Sequence, residues 1–378
     1  MVKEVYFFTE MGYTAYPQDQ ARQHGYNNLM FPNEHFSPER AQELYSMYFD
    51  ELQYCSETGF DGVMINEHHN NPLCMMPSVN VIGSILSRIT KKGRIVFLGN
   101  VLPIHDNPLR VAEEIAMIDI LSGGRVVCGF VRGIGQESIA TNTNPVYNRE
   151  RFDEAHDVIL KAWTTPGPFR WEGKHYDYRI VNPWVRPLQQ PHPSIVFPAD
   201  SEEGLELAAA HRVPTGAAYR STAKCLETFE RYRAAARRHG WTPQPHHHLL
   251  LRHIYVAESN ERARAEAAEH LHYFWQYLMS YHQGVMQLLG QPLPQRPATA
   301  RRAEDLPFWE LDYDLCQREG LSIIGDPDYV IRELRAQEQT LGCGVIMGLF
   351  QFGSMPHDLA MQNIRLFAKE VLPEVQKN

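Results

Sequence analysis

Short runs of apolar residues alternate along the chain with stretches in which apolar residues recur every three or four positions. Several of the short runs are nearly continuous, which is typical of parallel strands buried on both faces. The stretches between them have the spacing of one helix face. The pattern predicts eight strands: Val5–Phe8, Gly62–Ile65, Arg94–Leu98, Val126–Phe130, Ser194–Phe197, Val213–Gly216, Leu249–Val256 and Val345–Phe350.

The intervening helices carry recognisable end signals. Asn107-Pro108 predicts a helix start, because Asn is a good N-cap and proline lacks an N–H group that would be unpaired there. Gly123 follows the apolar stripe, where a left-handed residue would end that helix. Asp326-Pro327 repeats the start signal near the C-terminus. These signals indicate helices that connect consecutive strands.

Strands that alternate with helices predict a (β/α)₈ barrel. Such a barrel needs about 250 residues, whereas this chain has 378. We therefore expect one barrel domain over residues 1–378, with insertions near residues 164–193 and 261–319. Glu172-Gly173 in the first insertion predicts the turn of a small hairpin. The second insertion contains an uncharged aromatic segment, Tyr273–Leu278, for which core or dimer packing and cover of a pocket both stay open.

Composition excludes several classes of function. The formal net charge of −9 argues against a nucleic-acid partner, which requires clustered positive charge. No apolar run approaches the roughly 18 residues of a membrane span, and the N-terminus has no signal-peptide character. The six cysteines form no Cys-x-x-Cys pair, which favours free thiols in a reducing compartment. We expect a cytoplasmic protein with no membrane partner.

Glu67-His68-His69 directly follows the second predicted strand, on the face where barrel enzymes carry their active sites. Histidine exchanges protons near neutral pH, so His68 is a candidate acid–base residue. A hydrogen-bonded pair that only stabilises the loop is the alternative. A metal site is not expected, because the first strand ends without His-x-His and no His-Glu-x-x-His is present. His246-His247-His248 precedes a strand, and we expect it to be solvated on the opposite face.

Two segments have features of a phosphate site. Arg132 follows the fourth strand between Gly129 and Gly133, where glycine allows close approach and the guanidinium can bind phosphate. The glycine spacing is not that of a dinucleotide fingerprint, and a plain salt bridge is the alternative. Asp200-Ser201 opens a helix after the fifth strand, so free N–H groups and the Ser201 hydroxyl could bind phosphate. We expect the Asp200 carboxyl group to turn away and cap the helix.

These residues, in this order, resemble the bacterial luciferase-like flavin monooxygenases. The resemblance covers nearly the whole chain and is weakest over residues 261–319. It implies a (β/α)₈ barrel, a homodimer and a reduced FMN cosubstrate supplied by a separate flavin reductase. The matching blocks include Gly59-Phe60-Asp61, Glu67-His68-His69, Arg94–Pro103, Pro108–Glu114, Asp119–Arg125, Gly129–Gly133, Asp200–Ala209, Gly325-Asp326-Pro327 and Gly348–Gly353.

The resemblance also implies roles for individual residues around the FMN phosphate. Arg132 matches the arginine that binds the phosphate, and Ile134 matches a neighbour that contacts it through the backbone. Asp200 and Ser201 match a Glu-Ser pair at the same phosphate. Gly204 replaces a threonine, so one hydroxyl donor is expected to be missing.

The remaining matches concern the flavin ring and the chemistry. His68 matches the catalytic histidine, and Asn100 matches a loop position against the ring. Val131 replaces a reactive cysteine of luciferase itself, so light emission is not expected. Apolar Val131 and Ile134 would suit a dry pocket. No metal ligand is implied.

The resulting expectation is an FMN-dependent monooxygenase that inserts one oxygen atom from molecular oxygen into a small or medium organic substrate, through a flavin hydroperoxide. Three alternatives stay open. The first is a deazaflavin-dependent oxidoreductase of the same superfamily, which transfers a hydride without oxygen. The second is a non-catalytic flavin-binding relative. The third is a metal-dependent barrel hydrolase.

Overall fold

The computed structural model of the chain describes residues 4–17, 19–20, 31–280 and 302–377. Within these residues, eight parallel strands form a nearly closed barrel in the order β8-β9-β11-β1-β2-β3-β4-β7. The Phe197 N–H donates to the Pro214 carbonyl at 3.0 Å and joins the two ends of this order. The strands are β1 Glu4–Phe8, β2 Gly62–Ile65, β3 Arg94–Val101, β4 Val126–Val131, β5 Phe169–Glu172, β6 Asp177–Val181, β7 Ser194–Val196, β8 Thr215–Ala217, β9 His248–Val256, β10 Ser322–Gly325 and β11 Val345–Leu349.

The predicted (β/α)₈ barrel is confirmed. Every residue of β2, β9 and β11 is buried, as expected for strands covered on both faces. One strand was not predicted: β10 pairs in parallel with the second half of β9, from Ser322↔His253 to Gly325↔Val256. β11 pairs with one edge of β9. On the other edge, β8 pairs with the first half of β9 and β10 pairs with the second half.

The helices lie between the strands, and their ends follow the sequence signals with one exception. Asp326 accepts a capping hydrogen bond from the Tyr329 N–H at 2.8 Å. Asn107 occupies its predicted position without capping, because its Oδ1 accepts a hydrogen bond from Tyr178. The helices are α1 Pro38–Glu57, α2 Val79–Ile89, α3 Pro108–Ser122, α4 Gln136–Ala140, α5 Asn148–Thr164, α6 Glu202–Ala210, α7 Thr222–Arg238, α8 Asn260–Gln276, α9 Tyr313–Arg318, α10 Pro327–Leu341, α11 His357–Leu366 and α12 Leu372–Gln376.

Both predicted insertions contain structure of their own. In the first, β5 and β6 form the expected antiparallel hairpin, with the Gly173 N–H donating to the Tyr176 carbonyl. The second includes α8, α9 and short 3₁₀ turns, and its residues 281–301 lie outside the described part. Phe274 and Trp275 of α8 are buried, so this stretch packs into the core. Among the described helices, none combines the length and the apolar character that a membrane span requires.

Candidate active site

The ends of the barrel strands surround a cavity of about 350 Å³. Six of the seven residues predicted to bind cofactor or act as a catalyst line it, and Asn100 does not. The six residues are His68, Val131, Arg132, Ile134, Asp200 and Ser201. Apolar side chains, including Leu98, Phe130 and Phe197, form much of the remaining wall.

One end of the cavity is basic. The Arg132 guanidinium donates to the Ser201 hydroxyl at 2.7 Å, and Ser201 is the N-cap of α6, accepting from the Gly204 N–H at 3.2 Å. Arg149 and Arg220 also line the cavity. The arginines therefore meet the N-terminus of a nine-residue helix, an arrangement that suits a phosphate group. We call Arg132, Arg149, Arg220 and Ser201 the basic end.

One expected detail at the basic end differs from the structure. Ser201, not Asp200, caps α6, and the Asp200 carboxyl group lies 3.5 Å from Arg220 Nη2. The backbone N–H of Ile134 donates to Glu137 Oε2 at 2.9 Å. The Asp200 carboxyl group and the Ile134 N–H thus each have a partner within the chain, which is a neighbouring charged side chain in both cases.

The glycine at position 204 is explained by packing. A Cβ atom there would lie 2.8 Å from the Ala199 Cβ and 3.1 Å from the Ser201 Oγ. A threonine would therefore displace Ala199 and Ser201, and Ser201 is a member of the basic end. The space that a hydroxyl-bearing side chain would need is filled by the chain itself.

His68 is paired with a carboxylate that the sequence pattern did not reveal. Its Nδ1 lies 2.8 Å from Oε1 of Glu137, whose side chain is 1% exposed. Burial by itself disfavours the imidazolium, but the hydrogen bond to Glu137 and the charges of Glu137, Glu10 and Glu67 outweigh it, so the pKa of His68 is raised. Burial tends to raise the pKa of Glu137, and His68 with the Ile134 N–H reverses this, so the pKa of Glu137 is lowered.

The turn after β4 brings Glu137 to His68. Gly133 and Gly135 have φ values of 80° and 89°, which favour glycine. A Cβ at Gly133 would lie 2.9 Å from Val101 Cγ1 and 3.2 Å from Glu137 Oε2. The Gly-x-Gly spacing ahead of Glu137 was the available sequence signal for this sharp turn.

The other residues of the Glu67-His68-His69 motif have a different environment. Glu67 Oε2 accepts from the Val79 N–H at the start of α2, and its Oε1 lies 3.5 Å from His69 Nε2. The His69 carbonyl accepts from the Gln136 side chain. The motif therefore combines one histidine facing the cavity with neighbours that stabilise the surrounding loops.

Asn100 and the triple-histidine segment lie elsewhere. Asn100 follows a register shift in β3 and is fully buried, and neither atom of its amide has a hydrogen-bond partner within the described chain. His246 is exposed and His247 half-buried, but His248 is buried, contrary to the expected solvated segment. Burial lowers the pKa of His248 to about 3.

Another part of the cavity wall is acidic. Glu10, which follows β1, is 6% exposed and accepts hydrogen bonds from the Asn66 amide and the Tyr219 hydroxyl. Glu67 and Glu137 also line the cavity near His68. We call Glu10, Glu67 and Glu137 the acidic end. Its members come from three distant parts of the chain, and only Glu67 belongs to a recognised motif.

Comparisons with known proteins agree with this geometry. A family model described as luciferase-like monooxygenase matches residues 29–343. The chain is 25% identical to the oxygenase component of the flavin-dependent trigonelline monooxygenase of Acinetobacter baylyi, over 82% of this chain and 85% of that protein.

Solved structures share the fold. The oxygenating constituent of 3,6-diketocamphane monooxygenase from Pseudomonas putida, in complex with FMN, has a TM-score of 0.75 at 18% identity, over 99% of both chains. An F420-dependent secondary alcohol dehydrogenase has a TM-score of 0.68 at 17% identity, over the full length of both chains.

Proposed function

We propose that this chain, which belongs to the luciferase-like monooxygenase family, is an FMN-dependent monooxygenase acting on a small or medium organic substrate. One observation carries the proposal. Arg132 and Ser201 meet at the N-terminus of α6, at the edge of a cavity with apolar walls. This arrangement fits the phosphate of a mononucleotide and leaves the interior for a flat ring and a substrate.

Each group of the site has a distinct task in this proposal. The basic end binds the phosphate and fixes the position of the flavin. Bound reduced FMN would supply the electrons and the oxygen activation. Phe130 and Val131 limit the access of water to the ring. His68, held by Glu137, gives and takes protons beside the ring.

Two relatives support this choice of cofactor and partner. The diketocamphane monooxygenase was solved with FMN, and the trigonelline enzyme is named as an oxygenase component. We therefore propose that a separate reductase supplies reduced FMN. A deazaflavin cofactor is the competing possibility, because an F420-dependent enzyme shares the fold. The six cysteines are all free and buried, which supports a cytoplasmic location.

A homodimer is the proposed assembly. Neighbouring helices α2 and α3 expose a set of large apolar side chains, and solvent-exposed groups of this kind mark association surfaces. The set is Val81, Ile85, Met117, Ile120 and Leu121. Light scattering of the protein should give twice the chain mass, and Leu121→Glu should shift it toward a monomer. A monomeric wild-type protein would contradict the assembly.

Binding titrations test the proposed cofactor. Wild-type protein should bind FMN more tightly than riboflavin, which has the same ring and no phosphate, and more tightly than F420. Oxygen-dependent conversion should then occur with reduced FMN. Equal affinity for FMN and riboflavin would contradict the phosphate site. Turnover with reduced F420 alone would favour the deazaflavin oxidoreductase.

A further inference from the structure

The wall of the cavity carries charged groups of both signs, which form the basic and acidic ends named above. At the basic end three arginines line the wall beside Asp200. At the acidic end three carboxyl groups surround the His68 imidazole, and each of them favours its protonated form. With His68 protonated and the three carboxyl groups ionised, the acidic end keeps an excess of negative charge. An FMN phosphate bound at the basic end would leave this excess uncompensated.

Glu10 is the member of the acidic end with the least internal compensation. Both of its oxygens accept hydrogen bonds, from Asn66 and from Tyr219, which is the pattern of an ionised carboxylate. Both donors are neutral. In the described part of the chain Glu10 forms no salt bridge with Lys, Arg or His, whereas Glu137 has His68. A buried carboxylate is costly unless a cation pairs with it.

The surroundings of Glu10 hold it in place at the cavity. Tyr219 packs against Phe274 and Trp275, with ring centroids 5.6 and 5.9 Å away. Glu10 and Tyr219 both line the cavity, so a ligand there would meet a fixed carboxylate beside an aromatic residue. Carboxylates and aromatic rings both attract organic cations.

We propose that the substrate carries a positively charged nitrogen, and that Glu10 is the residue that selects it. The inference rests on the proposed function, in that the same cavity binds FMN at its basic end. The substrate class is a small organic ammonium compound or another nitrogen cation. The cation pairs with Glu10, and the rest of the molecule occupies the apolar middle of the cavity.

An isosteric pair of probes tests the selection. Phenyltrimethylammonium and tert-butylbenzene have the same shape and differ in the charge of one atom. Calorimetry on the FMN-loaded protein should show the cation bound at least about tenfold more tightly than the neutral probe. Glu10→Gln should remove most of this difference and leave FMN affinity unchanged. Glu172→Gln, an exposed carboxylate on the hairpin, is the matched control and should keep the difference.

Every other outcome of these measurements contradicts either the inference or the proposed function. Equal affinity for the two probes in the wild type, or binding of neither, overturns the inference without any variant. If folded Glu10→Gln still prefers the cationic probe, another group causes the preference, and the role of Glu10 is overturned. If Glu10→Gln does not fold, Tyr219→Phe, which removes one donor to the carboxylate, should alter the preference, and an unchanged preference contradicts us. Failure of the wild type to bind FMN is a separate result that contradicts the proposed function, and the probes are then compared on the cofactor-free protein.

Discussion

The two ends of the cavity differ in how the chain constructs them. The basic end joins a residue at the end of β4 to the start of the helix after β7, two adjacent strands of the barrel. Each half has a local sequence signal, an arginine flanked by glycines and a helix N-cap. The acidic end joins Glu10 to Tyr219, 209 residues apart, and His68 to Glu137, 69 residues apart. Arg132 and Ser201 are also 69 residues apart, so chain separation alone does not distinguish the two ends. The difference is that both halves of the proposed phosphate site have a sequence signal of their own, whereas Glu10 and Tyr219 have none.

The largest expected effect concerns His68 at the acidic end. His68→Ala should lower turnover by roughly 10²- to 10⁴-fold, the contribution of a positioned acid or base. FMN affinity should stay close to that of the wild type, because His68 is not part of the basic end that we propose binds the phosphate. Product formation with reduced FMN and fluorescence titration of FMN measure the two quantities. A parallel loss of both would show that His68 supports the structure of the whole cavity.

At the basic end Arg132→Ala should weaken FMN binding by about 1.5–3 kcal/mol, the value of a hydrogen bond to a charged group. Riboflavin affinity should not change, because that ligand has no phosphate. Titration of both ligands measures the effect. Arg170→Ala, on the exposed hairpin, is the control and should bind both ligands like the wild type. Unchanged FMN affinity in Arg132→Ala would place the phosphate elsewhere.

Ser201→Ala should have a smaller, double effect. Loss of the N-cap should lower the free energy of unfolding by about 1 kcal/mol, and loss of the hydroxyl beside Arg132 should weaken FMN binding. Ser259 caps α8 in the same way, accepting from the Arg262 N–H at 3.2 Å. Ser259→Ala should therefore show the loss of stability without the loss of affinity. Urea unfolding and FMN titration separate the two variants, and identical behaviour would contradict a binding role for Ser201.

The smallest effect is a dependence of stability on pH. The raised pKa of His68 means that the folded state keeps a proton that the unfolded state releases. The stabilisation is complete below the ordinary histidine pKa of about 6.5 and is lost as the pH rises through the folded pKa. Glu137→Gln should flatten this decline in urea unfolding around neutral pH.

A second histidine–carboxylate pair also makes stability depend on pH, so the variant must be compared with the wild type. His357 also has a raised pKa, because it is hydrogen-bonded to Glu51 at 2.9 Å. This pair contributes to the same decline in both proteins, so the difference between them reports on His68. An identical pH dependence in wild type and Glu137→Gln would contradict the pairing of His68 with Glu137.

The amino-acid sequence by itself determined the strands and helices. It also determined the two segments that form the basic end, one at Arg132 and one at Ser201. Apolar runs, the Asp326-Pro327 start and Gly123 are signals within one element, because a strand or helix end depends on neighbouring residues. Eight barrel strands, the hairpin and the positions of Arg132, Ser201 and His68 at one face could therefore be predicted. The resemblance added the cofactor, which no pattern of spacing implies.

The closed barrel determined the contacts between residues that are far apart in the sequence. The partnership of Glu10 with Tyr219 and that of His68 with Glu137 exist only when distant strand ends meet around one cavity. The strand β10 was missed because its four residues form a strand by pairing with the exposed edge of β9, which only the assembled sheet provides. Asn107 lost its capping role to Tyr178 of the hairpin for the same reason. The hydrogen-bond partner of a side chain is set by which groups the fold brings close to it. The spacing of residues along the sequence does not give the distance between residues that are far apart in the chain.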